Sequence, residues 1–276
     1  MDAASSRTSV SQLMEAVRPR VGPAVQAVGG PLEPLIPEDQ ARPVDLSVVP
    51  VARLINQILL KPEATPRRID QLCDEAIELH FAAVCVHSRF VGRVAARLSG
   101  SDVTPASVAG FPSGANLTAV KVFEARQAIA AGAREIDMVV PIGLLKAGEY
   151  AQVAEDLADV TRAAHAQGVL VKLILETALL SDEEKVAGCM LAAGTGMDFV
   201  KTSTGLANGG ATEADVALMR QVVGDRLGVK AAGGIHTLDD ARRMVAVGAS
   251  RLGTSAGVNI ARQALGQPAV SPPAGY

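Results

Sequence analysis

Tryptophan is absent from the 276 residues, and only two tyrosines and five phenylalanines are present. So few aromatic rings leave little for stacking nucleic-acid bases. A net charge of −3 with a pI near 5.9 offers no basic field to hold a polyanion. A nucleic-acid partner is therefore not expected. Cysteine is scarce too: Cys73, Cys85 and Cys189 are odd in number and lack any Cys-x-x-Cys spacing, so they read as reduced, small core residues. With His80, His87, His165 and His236 scattered along the chain, no metal-ligand cluster emerges. No stretch approaches the roughly 18 apolar residues of a membrane span. The opening Met1-Asp-Ala-Ala-Ser-Ser-Arg-Thr8 has neither the basic patch nor the apolar run of a secretion signal, which makes the cytoplasm the expected compartment.

What is present is ample core material, 49% hydrophobic against 20% charged, and an unusual placement of lysine. Only seven of the 26 basic residues are lysines, and three of these lie inside apolar, strand-like runs: Lys172 in 169–176, Lys201 in 198–205 and Lys230 in 228–234. An ammonium group is expensive to remove from water without a partner. The commonest chemical reason for burying one is a depressed pKa, which frees the amine to attack a carbonyl carbon.

Seven of the fifteen prolines fall within the first 50 residues. Residues 1–45 therefore read as a Pro/Gly-rich extension, with a short helix over Val10 to Val17 and the remainder an arm along the surface. Packing of that arm on a neighbouring subunit is the alternative. Residues 46–265 make the main domain and 266–276 a flexible tail. Within the main domain, apolar runs at 53–59, 82–87, 106–111, 135–140, 169–176, 198–203, 229–233 and 250–254 alternate with helical periodicity at 67–80, 89–99, 117–131, 149–167, 181–193, 212–223, 237–247 and 256–265. Ser181-Asp-Glu-Glu184 and Thr237-Leu-Asp-Asp240 have the spacing of capping boxes, and Thr65-Pro66 puts a cap before a first-turn proline. Eight strand–helix units predict a closed (β/α)8 barrel. A doubly wound open sheet is the runner-up, but the Gly-x-Gly-x-x-Gly that usually follows its first strand is missing.

Residues i and i+2 share a face of a strand. In 169–176 this sets Leu170, Lys172, Ile174 and Glu176 against Val171, Leu173 and Leu175, and the second set suits the outer helices. Lys172 and Glu176 then point inward, as do Lys201 with Phe199 and Ser203, Asp137 with Glu135 and Val139, and Lys230. Two ammonium groups about 4 Å apart repel by about 4 kcal/mol at an effective dielectric near 20. At about 1.4 kcal/mol per pKa unit, a depression of two or three units is reasonable for Lys201 or Lys230. Asp137 would balance the remaining charge and relay protons. A structural ion network is the competing explanation, and three lysines with inward acids on four consecutive strands weigh against it.

Gly233-Gly234 leads into the capped helix at Thr237, and Gly253-Thr-Ser255 leads into another helix. In barrel enzymes these two loops often bind phosphate through backbone N–H groups and a helix N-terminus. Gly205 adds a further contact, so a phosphorylated substrate is expected.

At this point the chain resembles deoxyribose-phosphate aldolases over about residues 53 to 256. The resemblance rests on Leu59-Leu-Lys-Pro-Glu-Ala-Thr65, Ala83-Val-Cys-Val86, Glu135-Ile-Asp-Met-Val139, Phe199-Val-Lys-Thr-Ser-Thr-Gly205 and Val229-Lys-Ala-Ala-Gly-Gly-Ile235. It implies reversible cleavage of 2-deoxyribose 5-phosphate to acetaldehyde and glyceraldehyde 3-phosphate, without metal or organic cofactor. It assigns imine formation to Lys201, lowering of that lysine's pKa to Lys230, and acid/base work to Asp137. Lys172 would line the site, Gly205, Gly233, Gly234 and Ser255 would hold the phosphate, and Tyr276 would assist proton transfer at the enamine carbon. A homo-oligomer, dimer or tetramer, is left open.

The resemblance frays on the first strand. Asn56-Gln57-Ile58 stands where such aldolases commonly read Asp-His-Thr, removing a carboxylate and a hydroxyl. Ala256 takes the place of a second serine, leaving its N–H as the donor. The loop 192–197 is slightly long. Two other readings stay open: a lysine-imine aldolase of different aldehyde or sugar-phosphate preference, and a catalytically silent barrel that binds a sugar phosphate.

Overall fold

The computed structural model describes residues 8–31 and 43–268. Eight parallel strands, β1 (Ile55–Leu59), β2 (Ala83–Val86), β3 (Thr104–Ala109), β4 (Glu135–Val139), β5 (Leu170–Ile174), β6 (Phe199–Lys201), β7 (Gly228–Ala232) and β8 (Arg251–Thr254), close into a barrel in sequence order. Each crossover carries a helix: α2 (Pro66–Glu78), α3 (Val91–Arg97), α4 (Thr118–Ala130), α6 (Tyr150–His165), α7 (Asp182–Gly194), α8 (Glu213–Val223) and α9 (Leu238–Ala246), with α10 (Gly257–Ala264) after β8. The (β/α)8 reading therefore holds and the open sheet is excluded. Both capping boxes form, at Ser181 with Glu184 and at Thr237 with Asp240. Thr65 caps α2 ahead of its first-turn proline. A short extra helix, α5 (Ile142–Ala147), follows β4. No helix among the described residues is long and apolar enough to cross a membrane.

The N-terminal segment departs from expectation. Helix α1 runs from Val10 to Ala27, ten residues past Val17, and carries Pro19 and Pro23 inside it. A mid-helix proline costs about 3 kcal/mol. Against that cost stands an apolar stripe of Met14, Val17, Val21, Ala24 and Val25, all buried, with α1 packed on α6 and α7. Burying such side chains is worth roughly 1.5–3 kcal/mol each for the larger ones. Arg20 adds an ion pair to Glu183 at the start of α7.

Between strands and helices lies the main apolar core, into which Val171, Leu173, Val200, Val229 and Leu252 point from the sheet. Inside the barrel a second, smaller cluster of Leu60, Ala83, Cys85, Ala106 and Val108, with Ile58 and Phe111 against it, occupies the side made by β1 to β3. The opposite side is ionic.

Candidate active site

Strand register brings the site together. Asp137 on β4 pairs with Lys172 on β5, and Lys201 on β6 pairs with Lys230 on β7. All four side chains are fully buried. Asp137 Oδ2 accepts from Lys201 Nζ at 2.8 Å and Lys230 Nζ at 2.7 Å, and its Oδ1 accepts from Lys172 Nζ at 3.0 Å. One carboxylate thus touches three ammonium groups. Lys172 also donates to Glu135 Oε2 at 2.7 Å, and Arg251 reaches Glu135 Oε1 at 3.3 Å. Burial must be compensated charge by charge in such a place.

The charges set one another's proton affinities. Burial pushes Asp137 up, but Lys172, Lys201 and Lys230 outweigh it and hold the carboxyl well below its usual range. Glu135 is lowered despite burial, by Lys172 and Arg251. Burial disfavours the charged form of Lys172, but Asp137 and Glu135 more than offset this and raise it. Lys230 goes the other way: burial, only partly opposed by Asp137 and reinforced by Lys201 and Lys172, pushes it down to about 8. The depression expected for one of the two lysines therefore falls on Lys230. Protons in so tight a group belong to the cluster rather than to one nitrogen. Cys85 faces the same ions, and burial with Asp137 raises its thiol, so it is an inert wall rather than a nucleophile.

Above this layer, at the carboxyl ends of β1, β6, β7 and β8, lies a cavity of about 170 Å³. Gly205, Gly233, Gly234 and Ser255 all line it, with Thr204, Ile58 and Lys61. Gly205, Gly233 and Gly234 have φ of 85°, 86° and 77°, a region costly for residues with a Cβ. Gly253 forms part of the floor, and a Cβ there would lie 3.0 Å from Lys230 Cε. The absent side chain lets the lysine stem pass directly beneath the cavity. Ile58 presents an apolar wall where a hydroxyl was noted as missing.

A family model for DeoC/LacD family aldolases matches residues 57–265. The chain belongs to that family. A deoxyribose-phosphate aldolase of Lysinibacillus sphaericus is 53% identical over 209 residues, covering 76% of this chain and 93% of its own. The crystal structure of a putative deoxyribose-phosphate aldolase from Coccidioides immitis matches with a TM-score of 0.78 at 36% identity, over 94% of this chain and 98% of its own. A tetrameric deoxyribose phosphate aldolase from Aeropyrum pernix matches with a TM-score of 0.72 at 26% identity, over 93% and 98% of the two chains.

Several features of this aldolase barrel were not foreseen. Arg251 joins the inner network and donates to Asn56 Oδ1 at 3.0 Å, while Asn56 Nδ2 donates to Glu135 Oε2 at 3.2 Å. Asn56 is therefore a neutral bridge between Glu135 and Arg251. The i, i+2 rule applied to Arg251-Leu-Gly253 was the available signal, since it puts Arg251 on the face of Gly253. Glu176 lies beyond the end of β5 with φ 58° and accepts from the N–H and hydroxyl of Thr204 at 3.1 and 2.5 Å. Ser203, counted inward, is buried, and its hydroxyl has no hydrogen-bond partner among the described residues. The Ala256 N–H, expected as a phosphate donor, is taken by Thr254 Oγ1 at 2.9 Å. Leu170, counted inward, is exposed at the start of β5. Tyr276 lies outside the described residues.

Proposed function

We propose that this chain is a lysine-imine aldolase that reversibly cleaves 2-deoxyribose 5-phosphate to acetaldehyde and glyceraldehyde 3-phosphate. The observation that carries the reading is one carboxylate oxygen, Asp137 Oδ2, shared by Lys201 and Lys230 directly below a glycine-lined cavity suited to a phosphate. Lys230, pushed down to about 8, gives up its proton far more readily than an ordinary lysine. A proton can then pass from Lys201 to Asp137 Oδ2 while Lys230 receives one from it, leaving Lys201 as the free amine. That amine adds to C1 of the open-chain sugar, and Asp137 moves the protons that release the hydroxyl as water to give the iminium. Loss of the C3 hydroxyl proton breaks the C2–C3 bond. Its electron pair flows to the iminium nitrogen, glyceraldehyde 3-phosphate leaves, and an enamine remains. Protonation at C2, the step proposed for Tyr276, and addition of water release acetaldehyde and restore Lys201.

Lys172, held charged by Glu135 and Asp137, keeps the shared carboxylate anionic and oriented. Gly205, Gly233, Gly234 and Ser255 hold the substrate phosphate. A cytoplasmic homo-oligomer completes the reading, supported by the tetramer described for the Aeropyrum relative. Purified protein should release acetaldehyde from 2-deoxyribose 5-phosphate, with activity unaffected by EDTA. Turnover of another sugar phosphate in preference would point to a different lysine-imine aldolase. Binding without cleavage would point to the silent barrel.

A further inference from the structure

Six of the seven lysines are ion-paired. Lys121 pairs with Asp156, Lys146 with Glu184, Lys185 with Asp182 and Asp215, and Lys172, Lys201 and Lys230 with the inner acids. The seventh, Lys61, has no acidic partner among the described residues, is exposed, and lines the cavity above the catalytic layer. It belongs to the Leu59-Leu-Lys-Pro-Glu-Ala-Thr65 stretch, to which the mechanism above gives no task.

The cavity needs a cation more than its sequence suggested. A helix N-terminus attracts an anion through free N–H groups, but α9 has filled its own: Asp240 Oδ2 accepts from the His236 and Thr237 N–H groups at 3.1 and 2.9 Å. At α10 the Ala256 N–H is held by Thr254, and the Gly257 N–H donates to Gln57 Oε1 at 3.1 Å. Two of the expected anion seats are thus occupied by protein oxygens, and one of those oxygens is itself charged. A phosphate monoester carries between one and two negative charges near pH 7. Among the described residues His236 is the only other basic residue on the cavity wall, and its backbone N–H is held by the Asp240 carboxylate. Resting on the sugar-phosphate reading above, we infer that Lys61 is the cation that pairs with the substrate phosphate, closing over it from the β1–α2 loop opposite the glycines of β6 and β7.

The test compares wild type, Lys61→Met, Lys61→Arg and, as a control in an ion pair elsewhere, Lys146→Met. Inorganic phosphate binding is followed by phosphorus NMR, alongside kinetics on 2-deoxyribose 5-phosphate and on 2-deoxyribose. Lys61→Met should weaken phosphate binding roughly tenfold and lower the preference for the phosphorylated sugar by a similar factor. Lys61→Arg should restore both, and the wild-type advantage should shrink in high salt. Unchanged phosphate affinity in Lys61→Met, or an equal loss on both sugars, would overturn the inference. A wild type that binds phosphate through Lys61 but never cleaves 2-deoxyribose 5-phosphate would instead defeat the substrate reading and leave this one standing.

Discussion

The two sides of the barrel interior are built from opposite materials. From β1 to β3 the inward residues are mostly small and apolar, Ala83, Cys85, Ala106 and Val108 with Ile58, and Asn56 is the polar exception where the halves meet. From β4 to β8 they are Glu135, Asp137, Lys172, Lys201, Lys230 and Arg251, four cations against two carboxylates. The apolar side excludes water, which makes each ammonium on the other side costly to charge. The ionic side supplies just enough negative charge to keep the lysines inside. Lys230 feels the imbalance most and is pushed down to about 8. On the proposed mechanism, reactivity comes from the contrast between the halves.

The contrast can be broken or sharpened by substitution. The largest effect is expected from Lys201→Ala, which should lower turnover by roughly four orders of magnitude, about 5.5 kcal/mol in barrier. Circular dichroism should show the barrel retained, because Asp137 keeps Lys172 and Lys230. Lys201→Arg should be as inactive, since a guanidinium does not form the imine. Asp137→Asn removes the carboxylate that faces three ammonium groups. It should cost about 3–5 kcal/mol in denaturant unfolding and suppress turnover as well.

Lys230→Met sharpens the comparison through pH. A lysine held at about 8 in the folded protein, against 10.5 normally, is protonated more readily in the unfolded chain. Its penalty is full below pH 8 and fades as pH rises toward 10.5, so it contributes stability that grows with pH across that window. Removing it should flatten this part of the stability profile by a few kcal/mol while sharply reducing the rate. A profile with its wild-type slope between pH 8 and 10 would contradict the assignment. The smallest effect belongs to Asn56→Asp at the boundary between the halves. A carboxylate there faces Glu135 and is only partly answered by Arg251, so a loss of about 1 kcal/mol in stability is expected. Because Asn56 touches neither Lys201 nor Lys230, kcat/KM should change by less than about threefold, roughly 0.7 kcal/mol.

Most of the barrel was legible because its two periods are clean. Runs such as Val169 to Glu176 and helices with marked caps each point to one solution, and the i, i+2 rule put Asp137, Lys172, Lys201 and Lys230 on one interior. What escaped notice did so for identifiable reasons. Residues 1–45 read as a Pro/Gly-rich arm, so α1 was cut short at Val17, although Met14, Val17, Val21 and Val25 kept the helical spacing that packing on α6 and α7 rewards. β6 stops at Lys201 because the Thr202 hydroxyl takes over the pairing with Ala232, donating to its carbonyl and accepting from its N–H at 3.0 Å; no periodicity encodes that substitution. The partner of Arg251 lies on β1 and β4, distant in sequence, so its place in the network depends on closure of the barrel. The hold of Asp240 on the Thr237 N–H was implicit in the capping box, but only side-chain positions reveal that Thr254 and Gln57 also hold N–H groups at the start of α10.

The central claim is that Lys201, and not its neighbour sharing the same carboxylate oxygen, carries the covalent intermediate. Borohydride reduction in the presence of 2-deoxyribose 5-phosphate, followed by peptide mapping by mass, tests it directly. The account predicts a single reduced adduct on Lys201, absent from Lys201→Ala. An adduct on Lys230 or Lys172, or none on a folded protein that binds the sugar phosphate, would contradict it.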